Sequence, residues 1–224
     1  MRAARRAAIL AGGERGQPLR NLLEGDRLKI IEAGNAVPFY VAKHDYESSL
    51  NQTGRTLVVR QHIYDKRQWH SSSPNAYAAS NIDAWLNGTY FNLLDEEIRG
   101  QIAAVTIPYT PGNGNNTVTT LFRKVFLLSV TELGKEANYA NIEGSALPLA
   151  NILQIATDNG GTAQLQWTRS PSMNRPSLTC TLRENGDVGN NHCDSAFGAR
   201  PAFTLPFDLP VSLRPDADGC YTVV

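Results

Sequence analysis

Cysteine is scarce in this chain of 224 residues: Cys180, Cys193 and Cys220 are the only three, and no two have CxxC spacing. An odd, unpatterned set implies neither a disulfide framework nor a zinc site. Cys180 and Cys193 read as small residues on a sheet, although a bridge across a predicted hairpin would also be geometrically allowed. Net charge is lacking as well. Lys plus Arg number 21 and Asp plus Glu number 21, so no broad field draws the chain to nucleic acid or to an anionic membrane. Long apolar runs are missing too, since stretches such as 7–11 and 125–128 are far too short to cross a bilayer. The apolar and charged fractions are those of an ordinary globular protein, and the length suits one sizeable core.

Catalytic and metal signatures are equally sparse. His44, His62, His70 and His192 fall at no i, i+4 or HExxH spacing, and there is no GxSxG elbow. His44 beside Asp45 reads as a hydrogen-bonded structural residue rather than a base. The Glu-Pro-Asn and Gln-Pro-Asp triplets of calcium-dependent sugar binding are absent. Asp158-Asn159-Gly160-Gly161 and Asp216-Ala217-Asp218-Gly219 hold oxygen ligands, yet they carry the residue types that turns select. Neither a metal nor a cofactor is expected, and the chain is read as a non-enzyme.

The first 24 residues are rich in Ala and Arg and read as a leader or helical extension that Gly25 closes, followed by a single domain over 25–224. A secretory signal core needs roughly 7–15 apolar residues, which 7–11 does not reach, so no export by this segment is expected. Residues 8–20 resemble the strand and Gly-rich loop of sugar nucleotidyltransferases, where backbone N–H groups cradle phosphates. Gly16-Gln17 departs from that family's Gly-Thr-Arg order, and no βαβ series follows to support the loop.

Hairpins dominate what is there. Residues 28–41 read as two strands joined at Gly34-Asn35, and 55–60 as a third. Ser80-Asn81 signals a helix start before Ile82, Trp85 and Leu86, with Gly88 as its end, and a second short helix is expected over 93–102. Residues 111–116 form an exposed loop, 124–129 a buried strand, and 147–158 a helix stopped by Gly160-Gly161. Two early helices in a chain of antiparallel hairpins define an α+β fold, and no repeat is visible.

The densest signal lies between Gln166 and Leu205. Apolar frames, Trp167-Thr168-Arg169-Ser170-Pro171 and Phe197-Gly198-Ala199-Arg200-Pro201-Ala202-Phe203, enclose a small-polar interior. Leu178, Cys180 and Leu182 alternate with Thr179, Thr181 and Arg183, the pattern of a half-buried strand, and Asn185-Gly186 supplies two positive-φ positions for a tight turn. The contact residues expected on this exposed strip are Ser172, Asn174, Arg175, Thr179, Thr181, Arg183, Asn185, Asp187, Asn190, Asn191, His192 and Asp194. Trp167, Phe197 and Phe203 are assigned to the core. Arg169 and Arg200 are either structural arginines bound to backbone carbonyls or ligand contacts, and the planar guanidinium fork favours the first.

Together with residues 39–46, Arg55-Thr56-Leu57-Val58-Val59-Arg60, Trp69-His70-Ser71-Ser72, residues 82–87 and Lys124-Val125-Phe126-Leu127-Leu128-Ser129, these frames resemble phage and prophage proteins with a C-type-lectin-like domain. That group shares Trp-x-Arg-Ser-Pro and Gly-x-Arg-Pro-Ala signatures, and some members are variable proteins of diversity-generating retroelements. The resemblance spans about residues 22–207, where the quoted motifs begin and end. It implies a receptor-binding protein at a phage tail tip or a prophage surface-display protein, in the virion or, before assembly, in the bacterial cytoplasm. The implied partner is a host-surface protein or glycan, the implied assembly a homotrimer, and no nucleic acid or membrane insertion is involved. Met173 and Glu184 lie outside the residue set that mutagenised asparagine codons produce, so some positions of the 172–195 window are not diversified in that way. The superfamily also contains formylglycine-generating-type enzymes, whose catalytic cysteines and iron-binding histidines have no placeable counterpart in this chain.

Overall fold

The computed structural model describes residues 16–72 and 74–224. In chain order the strands are β1 (Gln17–Pro18), β2 (Arg27–Glu32), β3 (Asn35–His44), β4 (Arg55–Arg60), β5 (Lys66–Gln68), β6 (Val105–Tyr109), β7 (Thr119–Arg123), β8 (Val125–Phe126) and β9 (Ala156–Thr157). They continue as β10 (Ala163–Gln164), β11 (Gln166–Pro171), β12 (Leu178–Leu182), β13 (Val188–His192), β14 (Ala196–Gly198), β15 (Ala202–Pro206), β16 (Pro210–Val211) and β17 (Cys220–Thr222). One sheet runs β17-β2-β3-β4-β15-β8 and another β13-β12-β11-β14-β5, with small ribbons β1-β16, β9-β10 and β6-β7. Most pairings are antiparallel, with β17-β2 and β11-β14 parallel. With its short helices this is the expected α+β arrangement.

The first hairpin turns one residue earlier than expected. Ala33 and Gly34 take φ of 49° and 82°, and Asn35 already pairs with Glu32. Two positive φ values in a two-residue loop match the right-handed twist of the flanking strands. β4 coincides with the expected 55–60 strand, and Thr56 to Arg60 are all buried because β3 and β15 flank it on both sides.

Ser80 begins the first long helical stretch, its hydroxyl accepting the Asp83 N–H at 3.1 Å. Gly88 does not end it. Helical structure continues through a wider turn at Leu86–Tyr90 to Leu93. A helical glycine costs about 1 kcal/mol, and the burial of Leu86 and of Tyr90, whose hydroxyl donates to Glu32 at 2.6 Å, outweighs that cost. The second helix starts late, at Glu96, because the Asp95 carboxylate accepts the Glu97 N–H.

The helix expected over 147–158 shrinks to Ala150–Leu153. Gln166 and Arg200 side chains both take the Leu153 carbonyl, at 2.9 and 3.0 Å, and Ala156–Thr157 pair as a strand instead. Likewise only Val125–Phe126 of the expected 124–129 strand pairs, although the run from Val125 to Val130 is buried.

The core lies against the six-stranded sheet. Phe39 and Phe203 rings meet at 5.3 Å between centroids, Tyr46 stacks on Phe126 at 5.5 Å, and Trp69 packs on Tyr77 at 5.9 Å. The expected division after residue 24 is too late. β1 pairs with β16, and Leu19 and Leu22 belong to the core. Of the segment that resembles a phosphate loop, residues 8–15 lie outside the described residues; Gln17–Pro18 form a strand and Leu19–Asn21 a single tight turn.

Candidate binding surface

β11, β12 and β13 carry the strip, and the structure sorts its expected contact residues into three groups. Asn174, Arg175, Arg183, Asn185, Asp187, His192 and Asp194 are exposed, and Asn190 and Asn191 are partly so. Ser172, Thr179 and Thr181 are buried, which corrects their placement on the exposed face. The strict alternation fails because both faces of β12, which runs between β11 and β13, are buried. Thr181 sits opposite Trp167, its hydroxyl takes an Asn191 amide proton at 2.8 Å, and Thr179 touches the Cys193 sulfur at 3.4 Å.

The exposed groups do not form one point. His192 pairs across from Leu178, and the Cys193 N–H donates to Ser177, so Asn174, Arg175, His192 and Asp194 gather at one end of the hairpin. Arg183, Asn185 and Asp187 occupy the other end, about 14 Å away along the strand. The turn there is also looser than expected. Gly186 alone has positive φ, 83°, while Arg183 N–H donates to the Asp187 carbonyl and Gly186 N–H to the Arg183 carbonyl. Asn185 and Asp187 bond one another at 2.8 Å. The side chains of Asn174, Arg175, Arg183, His192 and Asp194 make no hydrogen bond to another described residue, so their polar groups are turned to solvent.

Behind this surface the scaffold is rigidly tied. Asn75, fully buried, donates to the carbonyls of Ser172, Arg175 and Leu178 and accepts the Asn113 N–H at 2.7 Å. Gly112 approaches so closely that a Cβ there would sit 2.3 Å from the Asn75 carbonyl oxygen, at φ +76°, so only glycine fits. Asn116 donates to Met173 and Asn141 to Asn116, while Tyr139 accepts the Met173 N–H and donates its hydroxyl to Val188. These ties join segments between 25 and 103 residues apart in the chain, and nothing local in the sequence marks them.

Arg169 and Arg200 are structural. Arg200 reaches three backbone carbonyls, of Arg60, Leu153 and Gln61, at 2.8–3.0 Å. Burial lowers its pKa to about 10. Arg169 donates to the Pro108 and Leu127 carbonyls and forks onto Glu132 at 2.6 and 3.0 Å. Burial works against its charge, but Glu132 outweighs that and holds the pKa above the usual arginine value. Tyr46 donates to the same carboxylate at 2.6 Å. Nearby, Glu143 accepts the Ser170 hydroxyl and the Thr110 N–H, and burial raises its pKa against the pull of Arg169.

The other candidate groups are engaged in local structure. Both His44 nitrogens are bonded, to the Thr56 hydroxyl and the Leu22 carbonyl, and Asp45 accepts the Gly54 N–H. Asp158 spends its carboxylate on Gly160, Thr162 and Gln164. Asp216 and Asp218 both bind the Lys29 ammonium, which stands where a cation would have to sit. Among the described residues, no group of three or more His, Cys, Asp or Glu side chains could hold a metal ion. All three cysteines are free and buried, and burial pushes the Cys180 thiol up to about 12. Among the described residues no helix is long and apolar enough to cross a membrane.

Fold and surface thus define a β-rich α+β domain that presents polar turns on a braced hairpin. Residues 53–207, more than half of the chain, match the model of the family described as Domain of unknown function (DUF6273), and the chain belongs to that family. The matched span contains the whole five-stranded sheet and ends just after β15. Neither a curated protein nor a solved structure matches the chain.

Proposed function

We propose that this protein is a C-type-lectin-like domain that binds a host-surface protein or glycan without catalysing a reaction, as a phage tail-tip or prophage surface-display protein. One observation carries the reading: Asn174 and Arg175 turn unbonded polar groups to solvent from a turn whose backbone carbonyls are held by the buried Asn75, and Arg183, His192 and Asp194 are exposed on the same hairpin. Recognition needs exposed polar groups on a rigid base, whereas catalysis needs a convergent acid, base or nucleophile. The same argument suits a surface that tolerates sequence change, as in proteins diversified by a retroelement.

The test is a display library randomised at Asn174, Arg175, Arg183, Asp187, Asn190 and His192, panned against bacterial surface proteins and glycans with folding checked in parallel. Most variants should fold, since exposed changes usually cost within about 0.5 kcal/mol each. Ligand profiles should differ between variants, most of all those rich in Tyr, which adds rigid amphipathic contact area. Identical profiles across all folded variants would reject the proposal.

A further inference from the structure

β13 is an edge of the five-stranded sheet, with β12 on one side and, among the described residues, no strand on the other. The direction of its main-chain groups follows from the pairing. Arg183 N–H donates to the Asp187 carbonyl at 2.8 Å and Cys193 N–H to the Ser177 carbonyl at 3.1 Å, so Asp187, Gly189, Asn191 and Cys193 are the residues that exchange hydrogen bonds with the neighbouring strand. In an antiparallel ladder the residues between them point their N–H and C=O groups the other way. Val188, Asn190 and His192 therefore turn theirs outward. Two bonds agree with this: the Val188 carbonyl accepts the Tyr139 hydroxyl, and the His192 carbonyl accepts the Ser195 N–H. The N–H groups of all three residues and the Asn190 carbonyl have no partner among the described residues.

A charge lies beside this row. Arg183 runs across the strand, its Nε 3.0 Å from where a Cβ of Gly189 would stand, so the missing side chain at Gly189 gives the guanidinium its room. Gly189 is buried, whereas Arg183 is exposed and has no ion pair among the described residues.

We propose that an extended segment of a partner protein, carrying an acidic side chain, adds to β13 as a sixth strand. Its main chain makes two hydrogen bonds with Asn190 and accepts from the Val188 and His192 N–H groups, and its carboxylate, opposite Gly189, meets Arg183. This rests on the reading of the hairpin as a binding surface and names the ligand class as peptide. Donors and an acceptor repeating every second residue match another backbone, as edge strands generally do, and Arg183 supplies the charge complement.

The probe is a displayed library of random short peptides, selected on the full chain and then synthesised. Selected peptides should carry Asp or Glu at one fixed position, and Arg183→Glu should turn the selection toward Lys or Arg there. Asn190→Pro removes an outward N–H and leaves every main-chain bond to β12 in place, so it should weaken binding about tenfold, the worth of one hydrogen bond, while Asn190→Ala binds like the parent. On the peptide side, N-methylation at one residue should abolish binding and at its two neighbours should not, a readout that leaves the protein unaltered. Binding indifferent to both Asn190→Pro and peptide N-methylation would overturn strand addition, and so would a selection that yields no peptide. Glycan binding that responds to changes at Arg175 and His192 but not to Asn190→Pro would overturn it as well, while leaving the hairpin a binding surface.

Discussion

Arg169 Nη1 lies 2.6 Å from Glu132 Oε2, and neither side chain reaches solvent. The pair joins β11 to the turn after Leu128. Removing one partner of a buried pair strands the other charge. Glu132→Gln should therefore destabilise the protein by about 3–5 kcal/mol, measured by urea unfolding. Glu143→Gln should cost less, because the fold already disfavours the charged form of Glu143. A Glu132→Gln midpoint equal to the parent's would refute the structural role given to Arg169.

The three tryptophans should separate. Trp69 and Trp167 are buried and each donates its indole N–H, to the Thr168 and Arg67 carbonyls. Ala at either position should cost about 3–5 kcal/mol. Trp85 is only partly buried and has the Arg67 guanidinium 3.9 Å over its ring. Trp85→Ala should shift the thermal midpoint clearly less than the other two, and an equal or larger shift would contradict this ranking.

Asp83 offers a pH signature. Burial raises its carboxyl from the usual 3.8 to about 6, against the opposing pull of Arg123, which it meets at 2.9 Å. A raised value means that the folded state holds the proton more tightly than the unfolded chain does. This group's stabilisation is therefore full below pH 3.8 and is lost as pH rises through about 6. Unfolding curves of parent and Asp83→Asn between pH 4 and 7 should differ in slope, the variant losing less stability on the way up. Parallel slopes would show that Asp83 titrates normally.

Leu19 and Leu23 test where the domain starts. Leu19 has no exposed surface and Leu23 is 74% exposed. Leu19→Ala should cost about 2–5 kcal/mol, and Leu23→Ala should fall within about 0.5 kcal/mol. Comparable small effects would return residues 17–24 to the status of a leader.

Elements set by local chemistry were legible in the sequence: β4, β12 and the Ser80 cap stand where the pattern puts them, and of the exposed loop expected over 111–116 the residues 113–116 are exposed while Gly112 is buried against Asn75. Elements decided by distant partners were not. Gly88 looks like a stop until Tyr90 finds Glu32, and the 147–158 helix looks long until Gln166 and Arg200 claim the Leu153 carbonyl. In the strip, residue type pointed to polarity, but burial followed from what covers each face of the sheet. β12 is covered on both faces, and that removes Thr179 and Thr181 from the surface. Asn75 has no sequence signal at all, since its three acceptors lie about a hundred residues further on.

The pairing of β1 with β16, and the packing of Gly16 on Val224, bring residues 16 and 224 into contact. In topological terms the described chain is almost a closed ring. The same closure means that residues 16 and 224 could be spliced by a short linker and new termini opened in the exposed 113–116 loop, with every strand pairing kept.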